Sequence, residues 1–137
     1  MKFYGETAVQ LANSVFPAQW KANDIVVLVH AVENEVASMC ILSNFDQHTV
    51  ELTFAHINRL SNVKEFTKEI FNEIFIHQGK QVAIMITAES NSRMNRLHQR
   101  LGHVSTGFIP KRYGTEDGII YCITKEEAER LWLNRFT

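Results

Sequence analysis

The sequence predicts one domain of the mixed α/β class, built on a central, mostly antiparallel sheet flanked by helices. Three observations carry that prediction. The chain has 137 residues, 45% of them apolar, which is enough for one core over residues 1–137 and too few for two. Helical and period-two apolar patterns alternate along it in the order helix, three strands, helix, strand, helix, two strands, helix. The most apolar stretch, VAIMIT at 82–87, is too short for a core helix and reads as a central strand covered on both faces. Antiparallel strands flanking a single β-helix-β-helix unit exclude the doubly wound class.

Each element has a local reason. Ala8, Leu11, Ala12, Val15 and Phe16 recur at three- and four-residue spacing, which predicts a helix over 6–16 that Pro17 does not extend. The β-branched run DIVVLVHA predicts a strand over 24–31, ending at the polar ENE of 33–35. Strands at 36–42 and 49–57 follow, separated by the turn SNFDQH, and such short links make an antiparallel meander. The second of these alternates. Val50, Leu52, Phe54 and His56 share one face, and Glu51, Thr53, Ala55 and Ile57 share the other.

From Asn62 the period changes. Val63, Phe66, Ile70 and Ile74, with Phe71 and Phe75, are spaced for a helix that HQGK ends at 77–80, and Asn62 with Glu65 resembles a capping box. A helix over 91–101 puts Met94, Leu97, His98 and Leu101 on one face, with Gly102 as its C-terminal cap. A hairpin joins 105–113 to 118–124 across GTEDG. Thr124 with Glu127 then caps a last helix, whose apolar side is Ala128, Leu131 and Trp132.

Composition narrows the function. Fourteen Lys and Arg against 15 Asp and Glu leave a net charge of -1, which gives no footprint for nucleic acid or acidic lipid. Charge reads as evenly spread, the densest run being KEEAER at 125–130, the solvated side of a helix. MKFYGETAVQ lacks the apolar core of a signal peptide, and no apolar run approaches a membrane span. The expectation is a soluble, cytoplasmic protein, with Cys40 and Cys122 as buried free thiols in a reduced compartment. The six histidines show no metal-ligand spacing, no serine sits in a nucleophile elbow, and KRY at 111–113 reads as ordinary surface.

The stretch NSRMNRLHQRLGH at 91–103 carries a resemblance. It is similar to the helix after the fifth strand in the GNAT family of N-acetyltransferases, which reads Asn-x-x-Ala-x-x-Leu-Tyr-x-x-x-Gly-Phe. Asn91, Met94, Leu97, His98, Gly102 and His103 hold those positions at the same spacing, with Met for Ala and His for both Tyr and Phe. ELTFAHI at 51–57 resembles the family's fourth strand, the order of elements is the family's, and the likeness spans 24–124.

The resemblance implies acetyl-CoA as donor and a small-molecule or protein amine as acceptor. Such a transfer needs a base for the amine, a polarised carbonyl and an acid for the departing thiolate. By resemblance His98 takes the acid's place and Glu51 that of a base on the fourth strand, while His56 assists through a water. The alternation sets Glu51 and His56 on opposite faces, so both serve one substrate only if the strand carries a bulge. Asn91, at the carboxyl edge of the buried strand, is expected to meet the cofactor arm with Met94 as well as to cap its helix.

One departure bears on the cofactor. The family carries Arg/Gln-x-x-Gly-x-Gly/Ala after its fourth strand, where glycines let backbone N–H groups approach the coenzyme A pyrophosphate. Here the loop reads INRLSNVKEF at 57–66, without glycine. Ile57, Arg59, Asn62 and Val63 hold the corresponding positions, backed by the helix dipole, with Arg59 or Lys64 adding charge. The alternative is a catalytically silent GNAT-like module with a binding or structural role. Some small phage proteins with eroded cofactor loops resemble the family in this way, which would place the chain in a virion or against a host protein. The two readings differ in the gap between the fourth and fifth strands. An enzyme keeps it open for the pantetheine arm; a silent module plugs it with Arg59, Leu60 or Met94. Loops 13–24 and 105–118 are expected to set specificity, and self-association through the last strands or the helix bearing Trp132 stays open.

Overall fold

The computed structural model describes residues 1–16, 20, 24–59 and 61–133. Pro17, Leu60 and part of the 13–24 loop therefore lie outside the described residues. Strands Lys2–Phe3 (β1), Val26–Val32 (β2), Glu35–Ser43 (β3), Thr49–His56 (β4), Val82–Ala88 (β5), Val104–Ile109 (β6) and Gly118–Thr124 (β7) form one seven-stranded sheet. Its order is β1-β2-β3-β4-β5-β7-β6, antiparallel at every step except between β4 and β5. Helices Gly5–Val15 (α1), Val63–Phe71 (α2), Ser92–Arg100 (α3) and Lys125–Ala128 (α4) complete the expected order.

Three details depart from the sequence reading. β1, two residues paired with Val27 and Leu28, is too short to show an alternation. The strand expected over 105–113 ends at Ile109, because Pro110 has no N–H to give and Lys111 turns to a φ of 54°. The helices from Val63 and Lys125 run on as π-type turns over Asn72–His77 and Glu129–Leu133, where bonds reach back five residues, as from Gln78 N–H to the Glu73 carbonyl at 2.8 Å.

The sheet buries both faces. α1 sets the fully buried Ala8 and Ala12 on Val27, Met39 and Ile41, and Ala55 of β4 joins that layer. On the other face α2 drives Phe66, Ile70 and Phe71 onto Leu28, Cys40, Leu42, Val50 and Leu52, with Trp132 packed edge-on to Phe71 at 6.2 Å. Cys40 and Cys122 are both free thiols, but only Cys40 is fully buried, and burial pushes its thiol pKa up. Cys122 is half-buried beside the Thr106 hydroxyl. No helix among the described residues is long and apolar enough to cross a membrane.

Two features of β4 position everything that follows. Its ladder with β3 runs without a shift from Ser43 opposite Glu51 to Ser38 opposite His56, so the strand has no bulge. Its parallel ladder with β5 begins at Thr49 and Val82 and ends at Leu52 and Met85, although both strands continue. Past that point they part.

Candidate functional site

The parting makes a slot. Thr53, Phe54, Met85, Thr87, Asn91, Met94 and His98 wall it together with Phe16 at the end of α1, around a volume of about 70 Å³. At the carboxyl edge of the sheet it widens to a mouth of about 380 Å³. There His56 and Ile57 face Asn91, Arg93, Met94 and Arg100 across the opening, with Val63 between them. Both α2 and α3 begin at this edge, each capped by an asparagine. Asn62 accepts from Glu65 N–H and Asn91 accepts from Met94 N–H, both at 3.1 Å. The capping box expected at Asn62 is only half made, because its own N–H donates to His30 Nε2 at 3.4 Å instead.

That diversion belongs to a wider pattern. Ile57 and Asn58 N–H both donate to the Ala37 carbonyl at 2.9 Å, and Ser61 N–H donates to the Asn58 carbonyl at 3.0 Å. The Ser61 hydroxyl is bonded to that of the buried Ser38. The loop after β4 is thus stitched to β3, with these backbone donors turned inward and away from the mouth. Of the expected cofactor residues, Ile57, Val63, Asn91 and Met94 line the mouth. Arg59 is exposed, the Asn62 side chain is engaged as a cap, and Leu60 lies outside the described residues.

The expected catalytic residues separate. Glu51 sits at the closed end of the strand pair, opposite Ser43 and Ile84, and accepts from Asn44 Nδ2 at 2.9 Å. Without a bulge it stays on the face opposite His56, so the two do not meet. The bulge on which a shared substrate for Glu51 and His56 depended is absent from this ladder. His56 is half-buried in the mouth, and burial followed by the charge of Arg93 pulls its pKa below the ordinary value. A neutral imidazole there accepts protons.

His98 forms part of a buried chain. It is 5% exposed, and its ring stacks on Tyr121 at 4.2 Å between centroids. Its Nε2 lies 3.1 Å from Thr87 Oγ1 and its Nδ1 lies 3.2 Å from His103 Nδ1. Burial, and then the neighbouring His103, lower the His98 pKa to about 4. Burial also takes His103 to about 4, against the pull of Glu127. Both rings are uncharged at neutral pH, so the imidazolium that a direct proton donor needs is not the form this site favours.

The chain has a preferred direction. Among the described residues His103 Nε2 is buried without a partner. A stranded N–H is harder to tolerate than a stranded acceptor, which puts the His103 proton on Nδ1. His103 then donates to His98 Nδ1, His98 Nε2–H donates to Thr87, and the Thr87 hydroxyl keeps its own proton to give into the slot.

Sequence reasoning passed over Phe16, Thr87, Arg93 and Arg100, which the structure brings to the slot and mouth. The arginines had a signal: Arg93, Arg96 and Arg100 fall three and seven residues apart, on one side of a helix. The near-zero net charge concealed it, and charge is not evenly spread. Among the described residues no three His, Cys, Asp or Glu side chains gather as a metal site.

No protein-family model matches the sequence, and no curated protein matches it. Solved structures do. The chain is similar to a GNAT-family acetyltransferase from Bacillus anthracis, with 17% identity, a TM-score of 0.62 and coverage of 77% of this chain and 68% of that one. It is also similar to mutant forms of the spermidine/spermine N-acetyltransferase SpeG from Vibrio cholerae, with 13% identity, a TM-score of 0.68 and coverage of 96% and 81%. At such identities the likeness shows the fold, which is that of the GNAT acetyltransferases.

Proposed function

We propose that this GNAT-fold chain is an N-acetyltransferase that takes its acetyl group from acetyl-CoA and passes it to an amine. The observation that carries the reading is the end of the β4–β5 ladder at Leu52 and Met85, which leaves a slot open to the edge where α2 and α3 begin. Parallel strands that stop pairing inside a packed domain leave backbone donors and acceptors that need another partner. An extended arm carrying amides supplies one, much as an added strand does. The pantetheine arm of coenzyme A has that character. Phe54, Met85 and Met94 give it apolar walls, Asn91 a polar edge, and the two helix N-termini a positive field at the mouth.

Acetyl-CoA, when bound, supplies an acetyl group activated as a thioester. The chain's own residues do the rest. His56, held neutral, takes the proton that an ammonium acceptor must lose. The Thr87 hydroxyl, oriented by His98 and through it by His103, presents a hydrogen-bond donor inside the slot, where an oxyanion or thiolate develops. His98 on this reading is a positioning residue. Loss of a single donor of this kind costs roughly a hundredfold or more in rate.

A second reading, the silent binding module, is favoured by the inward-turned N–H groups of Ile57 and Asn58. Calorimetric titration with acetyl-CoA separates the two, followed by release of free thiol in the presence of amines. Spermidine is the first amine to try, since a neighbour in fold is named for it. Binding with amine-dependent thiol release is the expected result. No binding at millimolar acetyl-CoA would leave the silent module standing.

A further inference from the structure

Among the described residues, the mouth of the slot is lined by two arginines and by no carboxylate. Arg93 and Arg100 line it from α3, and the same two side chains, with Arg96 and Gln99, line an adjoining surface hollow of about 530 Å³. All three arginines are exposed, and among the described residues none is in a salt bridge. Clustered guanidinium groups without carboxylate partners repel one another, a cost that an oxyanion ligand removes. In a chain of net charge -1 such a cluster is not a by-product of general basicity. Across the mouth, Ile57 and Asn58 give their N–H groups to the Ala37 carbonyl and Asn62 gives its own to His30, so these three donors are already engaged when a phosphate arrives.

We infer that Arg93 and Arg100 of α3, rather than the N–H groups of Ile57, Asn58 and Asn62, hold the phosphates at the nucleotide end of the acyl donor. The inference rests on the acetyl-CoA reading above and assigns its anion site to the other wall of the mouth. Guanidinium forks bind phosphate oxygens two at a time, so side chains replace what glycines and backbone do elsewhere. Arg96, which borders only the outer hollow, adds long-range charge but no contact at the mouth.

The test is titration of the intact protein with acetyl-CoA, with acetyl-pantetheine, which has no nucleotide phosphates, and with inorganic pyrophosphate. The wild type is expected to prefer acetyl-CoA to acetyl-pantetheine by roughly tenfold or more, a preference that shrinks as salt is added. The double variant Arg93→Ala, Arg100→Ala is expected to lose that preference and bind acetyl-pantetheine as before. Arg96→Ala is expected to stay within about threefold of wild type. A double variant that keeps the wild-type affinity for acetyl-CoA overturns the inference and leaves the proposed function intact. Arginine-dependent capture of pyrophosphate without any acetyl-CoA binding overturns the proposed function and shows an anion site of another purpose. Binding of neither ligand overturns both.

Discussion

The two helices that flank the slot are held in opposite ways. α2 is an apolar wedge: Phe66, Ile70 and Phe71 are buried, and Phe66 stacks against His30 at 5.4 Å and meets Phe54 at 6.1 Å. α3 has one buried side chain, His98, and is tied down by hydrogen bonds. Asn95 Nδ2 reaches the carbonyls of Ala88, Glu89 and Asn91 at 3.2, 3.3 and 3.0 Å, while its Oδ1 accepts from the Tyr121 hydroxyl at 2.8 Å. Ser90 is held by both oxygens of Glu116 at 2.9 Å. Burial is non-directional and supplies stability, whereas hydrogen bonds fix orientation. The helix that carries Asn91, Met94, His98 and the arginines is the one held by direction.

The sharpest way to break that comparison is to remove the wedge. Phe66→Ala is expected to cost about 4 kcal/mol in urea unfolding, since a large fully buried ring leaves a cavity. A loss below that of any α3 variant would sink the contrast. Next comes acid. His98 and His103 sit near pKa 4 when folded and return towards 6.5 when unfolded, so the unfolded chain binds more protons between those values. Stability therefore rises with pH across that window and is complete above it. Lowering the pH from about 7 to about 5 is expected to remove on the order of 3 kcal/mol through the two together. His103→Phe is expected to flatten that pH dependence.

Asn95→Leu, which strands the carbonyls at the β5–α3 turn, is expected to cost about 2 kcal/mol. It should also weaken acetyl-CoA binding, while an α2 variant of equal cost spares it; equal effects on binding would dissolve the distinction. The caps sharpen the comparison at its smallest scale. Asn62→Ala and Asn91→Ala are each expected to cost about 1 kcal/mol, but only the second should alter ligand affinity. The direction of the buried chain is open to nitrogen NMR of the two imidazoles. A proton on His103 Nδ1 and on His98 Nε2 is expected, and the reverse tautomers would remove Thr87 from its role.

Much of the fold was legible because local chemistry and tertiary contacts agree. The alternation of 49–57 is the alternation of β4 between two core layers, and Thr124 with Glu127 makes a complete capping box. Gly102 does cap α3, at a φ of 86°, with His103 N–H returning to the His98 carbonyl at 2.9 Å. A Cβ there would also stand 3.2 Å from Leu131. What stayed hidden depends on partners distant in sequence. No pattern in 49–57 or 82–88 says where two strands stop pairing. Nothing in INRLSN marks Ala37 as the acceptor for its N–H groups. The His98–His103 contact arises only once the chain reverses at Gly102, so the sequence offered His98 as a free acid.

The parted ladder has a consequence for failure as well as for function. A sheet that divides at its middle has two inner margins besides the outer ones at β1 and β6. Zipping shut would add backbone bonds and would close the slot that Phe54 and Met94 line. A failure of that kind need not unravel the protein. It can instead leave a tidier, more continuous sheet with no room for a ligand, a loss that circular dichroism would record as order gained.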